Sequence, residues 1–169
     1  MKIPHAHYMR EAIKEAYKAL ERDEVPVGAV VVHENRVIAR AHNQIVSLRD
    51  PTAHAEMIAI TQAADFLKSE RLINCALYVT IEPCAMCAGA SVLARIKRIV
   101  YGADDSKSGA CGSVVNIAVN KRLNHRAEVV GGILREDCAL VMKEFFRQKR
   151  ADNGKNRMSR SARSFLRRV

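Results

Sequence analysis

The sequence contains no long apolar run, and none approaches the roughly 18 consecutive apolar residues of a membrane-spanning helix. Its first stretch, MKIPHAHYMREAIKEAY, also lacks the apolar core of a secretory signal peptide. From these two absences we expect no membrane partner and a cytoplasmic location.

Cysteine occurs five times, an odd number that does not suit a framework of disulfide bonds. In a reducing cytoplasm, clustered cysteines more often bind a metal or act in catalysis. One CxxC pair is present and a second is missing, so a structural metal site of four cysteines is not expected. The sequence assigns no function to Cys75, Cys111 or Cys138.

Acidic residues are scarce at the C-terminal end of the chain. Residues 147–169 contain nine Lys or Arg and one acidic residue, Asp152, and therefore carry +8 of the net charge of +10. A basic arm attracts polyanions, chiefly nucleic acid, although a solvated tail that only maintains solubility would have the same composition. The whole chain has 169 residues, 49% hydrophobic and 27% charged, which is typical of one soluble globular domain.

The hydrophobic periodicity predicts strands that alternate with helices after an initial hairpin. This order indicates an α/β protein with three α/β/α layers around a mixed five-stranded sheet. We expect one domain over residues 1–150 and a basic tail over residues 151–169 that is mobile without a partner. The predicted elements are a helix over 6–20, strands over 25–32 and 36–41, a loop over 42–51, a helix from an N-cap at Thr52 to Leu67, a strand over 75–81, a helix from Cys84, a strand over 98–102, a loop over 103–113, a strand over 127–134 and a helix from Glu136 to Gln148.

Two short segments, His54-Ala55-Glu56 and Pro83-Cys84-Ala85-Met86-Cys87, carry the residues with the clearest chemistry. A CxxC pair at a helix start fits a metal site, a redox dithiol or chance, but a redox pair would be expected after the first strand. His54 is the best third ligand because it begins a buried helix, and His42 is an alternative. One imidazole and two thiolates suit Zn²⁺, and three protein ligands leave a coordination position for water, as in catalytic sites.

Glu56 is the natural proton shuttle beside such a metal. On a regular helix, residues two apart diverge by roughly 200°. His54 and Glu56 can therefore share a site only if it lies end-on to the first helical turn. A carboxylate that only interacts with the helix dipole is the alternative role of Glu56.

These segments resemble the bacterial tRNA-specific adenosine deaminases, members of the zinc-dependent cytidine deaminase superfamily. The resemblance covers residues 5–150 and is carried by the stretches PVGAVVV, HN, PTAHAE, EPCAMCAGA, DSKSGACGS, NHR and FFR. It implies a cytidine-deaminase-like fold, one Zn²⁺ per subunit, a homodimer and hydrolytic deamination of adenosine to inosine in the anticodon loop of tRNA, at the wobble position.

The resemblance also implies roles for individual residues. His54, Cys84 and Cys87 would bind zinc, and Glu56 would be the general acid and base. The substrate contacts would come from Asn43, the backbone of Ala55, Val27, Asp105, Lys107, Phe145, Phe146 and Arg147.

Two alternatives remain open. The chain could deaminate free guanine or a cytosine-type substrate, because HAE and PCxxC are common to these enzymes. It could also be a zinc-stabilised RNA-binding subunit without activity, which a fourth protein ligand would favour.

Overall fold

The computed structural model describes the backbone of residues 5–166 and the side chains of residues 5–151. The chain forms five strands and five helices within this range, of which the long last helix extends beyond residue 151. In chain order these are α1 (His5–Glu21), β1 (Gly28–His33), β2 (Arg36–His42), α2 (Ile45–Leu48), α3 (Ala55–Leu67), β3 (Ala76–Ile81), α4 (Ala85–Leu93), β4 (Arg98–Ala103), β5 (Glu128–Val130) and α5 (Arg135–Leu166).

The five strands form one mixed sheet in the order β2-β1-β3-β4-β5. Strand β1 pairs antiparallel with both β2 and β3, whereas β3, β4 and β5 are parallel. Side chains of β1 alternate between the two faces, so that Ala29 and Val31 join one hydrophobic cluster and Val30 and Val32 join the other. This confirms the predicted mixed five-stranded sheet.

Helices cover both faces of the sheet, which confirms the three-layer architecture. Helices α3 and α4 contact each other on one face, and α1 and α5 contact each other on the other. Helix α1 lies very close to the sheet at Gly28, where a Cβ atom would meet the Ala12 carbonyl oxygen at 2.0 Å. Among the described helices, none is both long and apolar enough to cross a bilayer.

The predicted N-cap at Thr52 is wrong. Helix α3 starts later, and its N-cap residue is His54, with extended backbone angles of φ −72° and ψ 151°. The Thr52 hydroxyl instead donates to Asp50 Oδ1 at 2.7 Å, and the Thr52 N–H donates to the same atom at 2.8 Å. The Asp50 side chain thus stabilises a turn around Pro51, and the chain enters the helix only after that turn.

Three other boundaries differ from the sequence-based prediction. The expected loop over 42–51 contains the short helix α2, and β5 covers only Glu128–Val130 because Gly132, at φ +84°, turns the chain towards α5. Helix α5 continues to Leu166 rather than ending at Gln148. The residues after Gln148 are rich in Lys, Arg, Asn and Ser and lack apolar periodicity, so the pattern does not indicate this extension. The mobility of residues 151–169 stays a prediction, and the side chains beyond 151 lie outside the described residues.

Candidate active site

The His and Cys residues of the two motifs meet at the carboxyl edge of the parallel strands. The His54 Nδ1 atom lies 3.8 Å from Cys84 Sγ and 3.6 Å from Cys87 Sγ. All the ligand atoms of this group lie within 4.8 Å of one another. Nitrogen and sulfur ligands of a tetrahedral zinc ion are about 3.6 Å apart, given Zn–N of about 2.0 Å and Zn–S of about 2.3 Å. The donor set and its spacing therefore fit Zn²⁺.

Two helix N-termini bring these residues together. His54 immediately precedes α3, and Cys84 immediately precedes α4, with Cys87 in the first turn of the latter helix. The positive ends of both helix dipoles point towards the group and favour the thiolate form of cysteine. In the part of the chain with described side chains, this cluster has three members and no fourth protein ligand.

The pKa values of the two cysteines shift in opposite directions. A hydrogen bond from Cys87, and then one from His54, lowers the pKa of Cys84 to about 3. The bond to Cys84 and burial raise the pKa of Cys87 above its usual range. A metal ion binds cysteine as the thiolate, so its binding at these two sulfurs would release protons.

Glu56 faces the same site from the first turn of α3. Its side chain is 3% exposed, and burial raises the pKa of its carboxyl, while its own backbone N–H and His54 oppose this effect. Both His54 and Glu56 line one small cavity of about 190 Å³. They can do so because His54 is extended and non-helical, so the helical divergence of roughly 200° does not apply to it.

Asn43 and Val27 also line this cavity, as expected from the resemblance. The Asn43 side chain is buried, and its Oδ1 atom accepts a hydrogen bond from the Ala55 N–H at 2.8 Å. That bond uses the Asn43 oxygen, so the amide NH₂ group of Asn43 is left for a ligand. The Ala55 N–H, which the resemblance assigned to the substrate, is already engaged with Asn43. Ile45, Ile81 and Met142 complete the apolar walls, a role that sequence analysis did not assign to them.

The predicted RNA-contacting residues fall into two groups. Asp105, Lys107 and Phe146 line a groove of about 460 Å³ that shares Asp105 with the small cavity. Phe145 is 6% exposed, packs edge-on against Phe146 and so offers almost no surface for RNA. The exposed Arg147 does not line the groove and pairs with Glu144 at 2.7 Å.

His42, the alternative metal ligand, lies outside the cluster. Its Nδ1 atom is 3.3 Å from Glu15 Oε2, and its Nε2 atom is 3.1 Å from an Arg22 nitrogen. Both ring nitrogens are thus engaged with side chains of α1 or the turn after it. His42 is therefore not a ligand in this arrangement.

Two buried carboxylates at the site were missed by sequence analysis. Glu24 accepts hydrogen bonds from Val46 N at 3.0 Å and Ser47 N at 2.7 Å, and so fixes α2 next to Ile45. Glu82 bonds to the loop after β4. In the sequence, each of these glutamates is only an acidic residue beside an apolar segment. Their hydrogen-bond partners lie more than 20 residues away, so no local pattern indicates their role.

A curated relative decides the family. The tRNA-specific adenosine deaminase of Bacillus subtilis (strain 168) is 50% identical to this chain over 143 residues, covering 85% of this chain and 89% of the relative. The chain belongs to the tRNA-specific adenosine deaminase family. A sequence profile of the MafB19-like deaminases also matches residues 3–150, so the match covers nearly all of the described domain.

Solved structures agree with membership of this family. A structure from studies of A-to-I editing by tRNA:A34 deaminases at the wobble position of transfer RNA superposes with a TM-score of 0.77. It is 47% identical and the match covers 80% of this chain and 98% of that one. The guanine deaminase of Bacillus subtilis matches less extensively, with a TM-score of 0.57, 37% identity and coverage of 62% and 66%.

Proposed function

We propose that the chain hydrolyses adenosine to inosine in the anticodon loop of tRNA, at the wobble position, in a zinc-dependent reaction. The observation that carries this proposal is the buried carboxyl of Glu56, which lines one cavity with His54 and Cys84, two members of the His54–Cys84–Cys87 group. The identity of 50% to a tRNA-specific adenosine deaminase supports RNA as the substrate.

In the proposed site, His54, Cys84 and Cys87 hold one Zn²⁺ per subunit. The zinc ion would supply Lewis acidity that makes a water molecule nucleophilic at neutral pH. Three protein ligands are typical of an open, catalytic zinc site. A structural zinc site usually has four protein ligands, and no fourth ligand is found among the described side chains.

Glu56 moves the protons of the reaction. Its carboxylate takes a proton from the attacking water and delivers it to the ring nitrogen next to C6. It then takes the proton of the hydroxyl formed at C6 and passes it to the departing amino group, so that the C6–N bond breaks, the C6 carbonyl forms, and adenosine and water give inosine and ammonia. The raised pKa of the buried Glu56 carboxyl suits a group that must both accept and donate a proton near neutral pH.

The substrate base is held by groups around the small cavity. Asn43 would hydrogen-bond the base through its amide NH₂ group, and Val27 would contact the ring. The Ala55 N–H fixes the orientation of the Asn43 amide. A base in a single-stranded loop is extracted at less cost than a paired base, which favours an anticodon loop over a duplex.

Flanking nucleotides would lie in the adjoining groove. Lys107 is exposed there and can contact phosphate, and Phe146, 47% exposed, can stack on a base. The Asp105 carboxylate accepts from the backbone N–H groups of Lys107 and Ser108 at 2.9 and 3.2 Å, so it shapes the loop as well as facing the groove.

We also propose that the chain is a homodimer in the cytoplasm. Large apolar side chains are exposed near the C-terminal ends of α3 and α4, at Phe66 and Leu93, which are 59% and 76% exposed. Exposed apolar surface of this kind is typical of protein interfaces. Light scattering of the wild type and of Leu93→Glu tests the dimer, which the added charge would disrupt if Leu93 lies in the interface.

The decisive experiment is incubation of the purified protein with unmodified tRNA, followed by mapping of inosine along the sequence. We expect inosine at one position of the anticodon, formed by the wild type and not by Glu56→Gln. Deamination of free guanine or cytosine, with no inosine in any tRNA, would replace this proposal by the alternative of a nucleobase deaminase.

A further inference from the structure

A second pocket lies at the amino-terminal ends of the parallel strands, whereas the candidate active site lies at their carboxyl-terminal ends. It has a volume of about 360 Å³, and we call it the basic pocket because Arg71, Arg95, Lys97 and Arg126 line it together with His125. Lys97 directly precedes β4, and Arg126 lies just before β5, so the pocket is where the parallel strands begin. The candidate active site lies where β3 ends, about 20 Å away for a strand of six residues.

The basic pocket carries four positive charges and has no acidic residue in its lining. Arg95, Lys97 and Arg126 form no ion pair with any side chain in residues 5–151. Within the same residues, Arg71 pairs with Glu70 alone, at 3.5 Å, and the Glu70 side chain is 85% exposed. Like charges that converge on one concavity repel one another, and a bound anion removes that repulsion.

Several of these groups are fixed before any ligand binds. The Arg95 guanidinium donates to Asn124 Oδ1 at 3.0 Å, and His125 Nε2 donates to the Ile96 carbonyl at 2.7 Å. The backbone of Lys97 is held between neighbouring segments, since its N–H donates to Cys75 O at 3.0 Å and its carbonyl accepts from Glu128 N at 2.9 Å. A site built on rigid elements orders few side chains when it binds a ligand.

The chemistry of the basic pocket suits a phosphate group. A guanidinium matches the oxygens of phosphate with two parallel hydrogen bonds, and three of the four cations are arginines. The lining contains no Phe, Tyr or Trp on which a nucleobase could stack. Contacts to phosphate position a nucleic acid without reading its sequence.

We propose that the basic pocket binds a backbone phosphate of the tRNA while the anticodon loop occupies the active-site cavity. This inference rests on the proposed function, because it takes the RNA to be the substrate. The pocket is a positioning site and contacts no reacting atom. It increases the affinity of the protein for an RNA that is long enough to reach both the active site and the basic pocket.

The test compares two pairs of substitutions that remove the same charge. Arg71→Gln with Arg126→Gln changes the basic pocket, and both side chains belong to exposed residues. Arg10→Gln with Arg36→Gln is the matched control, because these arginines are exposed on α1 and on the edge strand β2. Affinity for full-length tRNA is measured between 50 and 200 mM salt, together with kcat at saturating tRNA.

We expect the pocket variant to bind tRNA more weakly than the control and to reduce the slope of log K against log salt by about 1 to 2. Its kcat is expected to stay at the wild-type value. Equal salt slopes for the two double variants would overturn the inference, even if the wild type forms inosine in tRNA.

Titration with inorganic pyrophosphate, followed by backbone amide NMR shifts, separates the sources of phosphate. Shifts at residues 95–98 and 124–126 in the wild type, lost in the pocket variant, are expected. If those shifts occur but both double variants bind tRNA alike, the pocket takes free phosphate and not RNA. If the wild type forms no inosine in tRNA, the proposed function fails, and the pyrophosphate result still shows whether the pocket binds phosphate.

Discussion

Glu82 is a single buried carboxylate that attaches the loop after β4 to the cysteine motif. Its Oε1 atom accepts from the N–H groups of Cys111 at 2.9 Å and Ser113 at 3.1 Å, and its Oε2 atom accepts from Asp105 N at 3.1 Å. The Ser113 hydroxyl is a further donor to Oε2. The loop approaches so closely that a Cβ on Gly109 would lie 2.4 Å from the carboxylate.

Replacement of Glu82 by Ala is expected to leave these loop N–H groups without their acceptor. Each buried donor without a partner costs about 1–3 kcal/mol, so we expect a loss of about 3 kcal/mol in the free energy of unfolding. Urea denaturation measures this loss. Glu70→Ala, which removes an exposed carboxylate, is the control and should change stability by less than about 0.5 kcal/mol.

The same carboxylate makes stability depend on pH. Burial raises the pKa of Glu82, but the hydrogen bonds from Ser113, Asp105 and Cys111 outweigh burial, and the pKa ends below its usual value. A lowered carboxyl pKa stabilises the fold above the unfolded-state pKa of about 4.3, and this stabilisation is lost as pH falls through the folded pKa. The stability difference between wild type and Glu82→Gln should therefore be constant from pH 7 to about 5 and shrink below pH 4. A difference that grows on acidification would contradict this.

Glu56→Gln tests the proton shuttle with little change of shape. We expect zinc content to remain at one per chain, because the metal ligands are untouched. Turnover should fall by about 10² to 10⁴, the usual contribution of general acid–base catalysis. The measurements are metal analysis and single-turnover inosine formation, with Glu70→Gln as a control. Turnover near the wild-type rate would remove Glu56 from the mechanism.

At the scale of elements, the starts of α3 and α4 decide the geometry of the site. Both helices begin directly after a ligand residue in extended conformation, His54 or Cys84. The turn stabilised by Asp50 sets where α3 begins, and the isolated bridge between Cys84 and Gly109 helps to set the position of Cys84. A shift of either helix start by one residue would rotate the first-turn side chains by about 100° and separate the ligands.

Helix α5 joins the folded domain to the basic end of the chain. Among its residues with described side chains, Cys138, Val141 and Phe145 are buried. Residues 151–169 contain six Lys or Arg and one Asp. Cys138, Val141 and Phe145 thus anchor α5 to the domain, and the basic residues follow them in the sequence.

Deletion of residues 151–169 is expected to weaken tRNA binding and to flatten its salt dependence, because fewer counterions are released on binding. The melting temperature should change little, since the anchoring residues remain. A control chain with a neutral Gly/Ser tail of equal length separates charge from length. If the salt dependence of tRNA affinity equals that of the full chain, residues 151–169 take no part in RNA binding.

For the whole molecule, the proposed metal would join two segments about 30 residues apart, His54 and the Cys84–Cys87 pair. Such a cross-link binds the folded state and not the unfolded chain, so it adds to stability. One segment follows β2 and α2 in the chain, and the other follows the central strand β3.

Removal of the metal with a chelator is therefore expected to lower the melting temperature and abolish deamination. A ligand at 100 times its dissociation constant contributes about 2.7 kcal/mol, which corresponds to about 5–10 °C for a chain of this size. Added Zn²⁺ should restore both properties, and chelator saturated with Zn²⁺ is the control. A purified, active protein without zinc would refute the metal proposal.

The sequence by itself determined the alternation of strands and helices, the sheet type and the site motifs. These are local properties, because strand and helix periods and short motifs are written in neighbouring residues. His54 and the cysteines could be paired in advance because their residue types, together with the family resemblance, point to one chemistry. The resemblance also supplied Asn43 and Val27, which the structure places in the same cavity.

Only the tertiary structure decided which distant residues meet. It placed the antiparallel β1 between β2 and β3, gave Glu24 and Glu82 their backbone partners, and buried Phe145 while exposing Phe146. It also gathered Arg71, Arg95, Lys97 and Arg126 into one pocket from three separate connections. These contacts join residues that are far apart in the sequence. They depend on which strands pair and on close packing, which excludes other arrangements. No short window of sequence shows which strands pair or which side chains pack together.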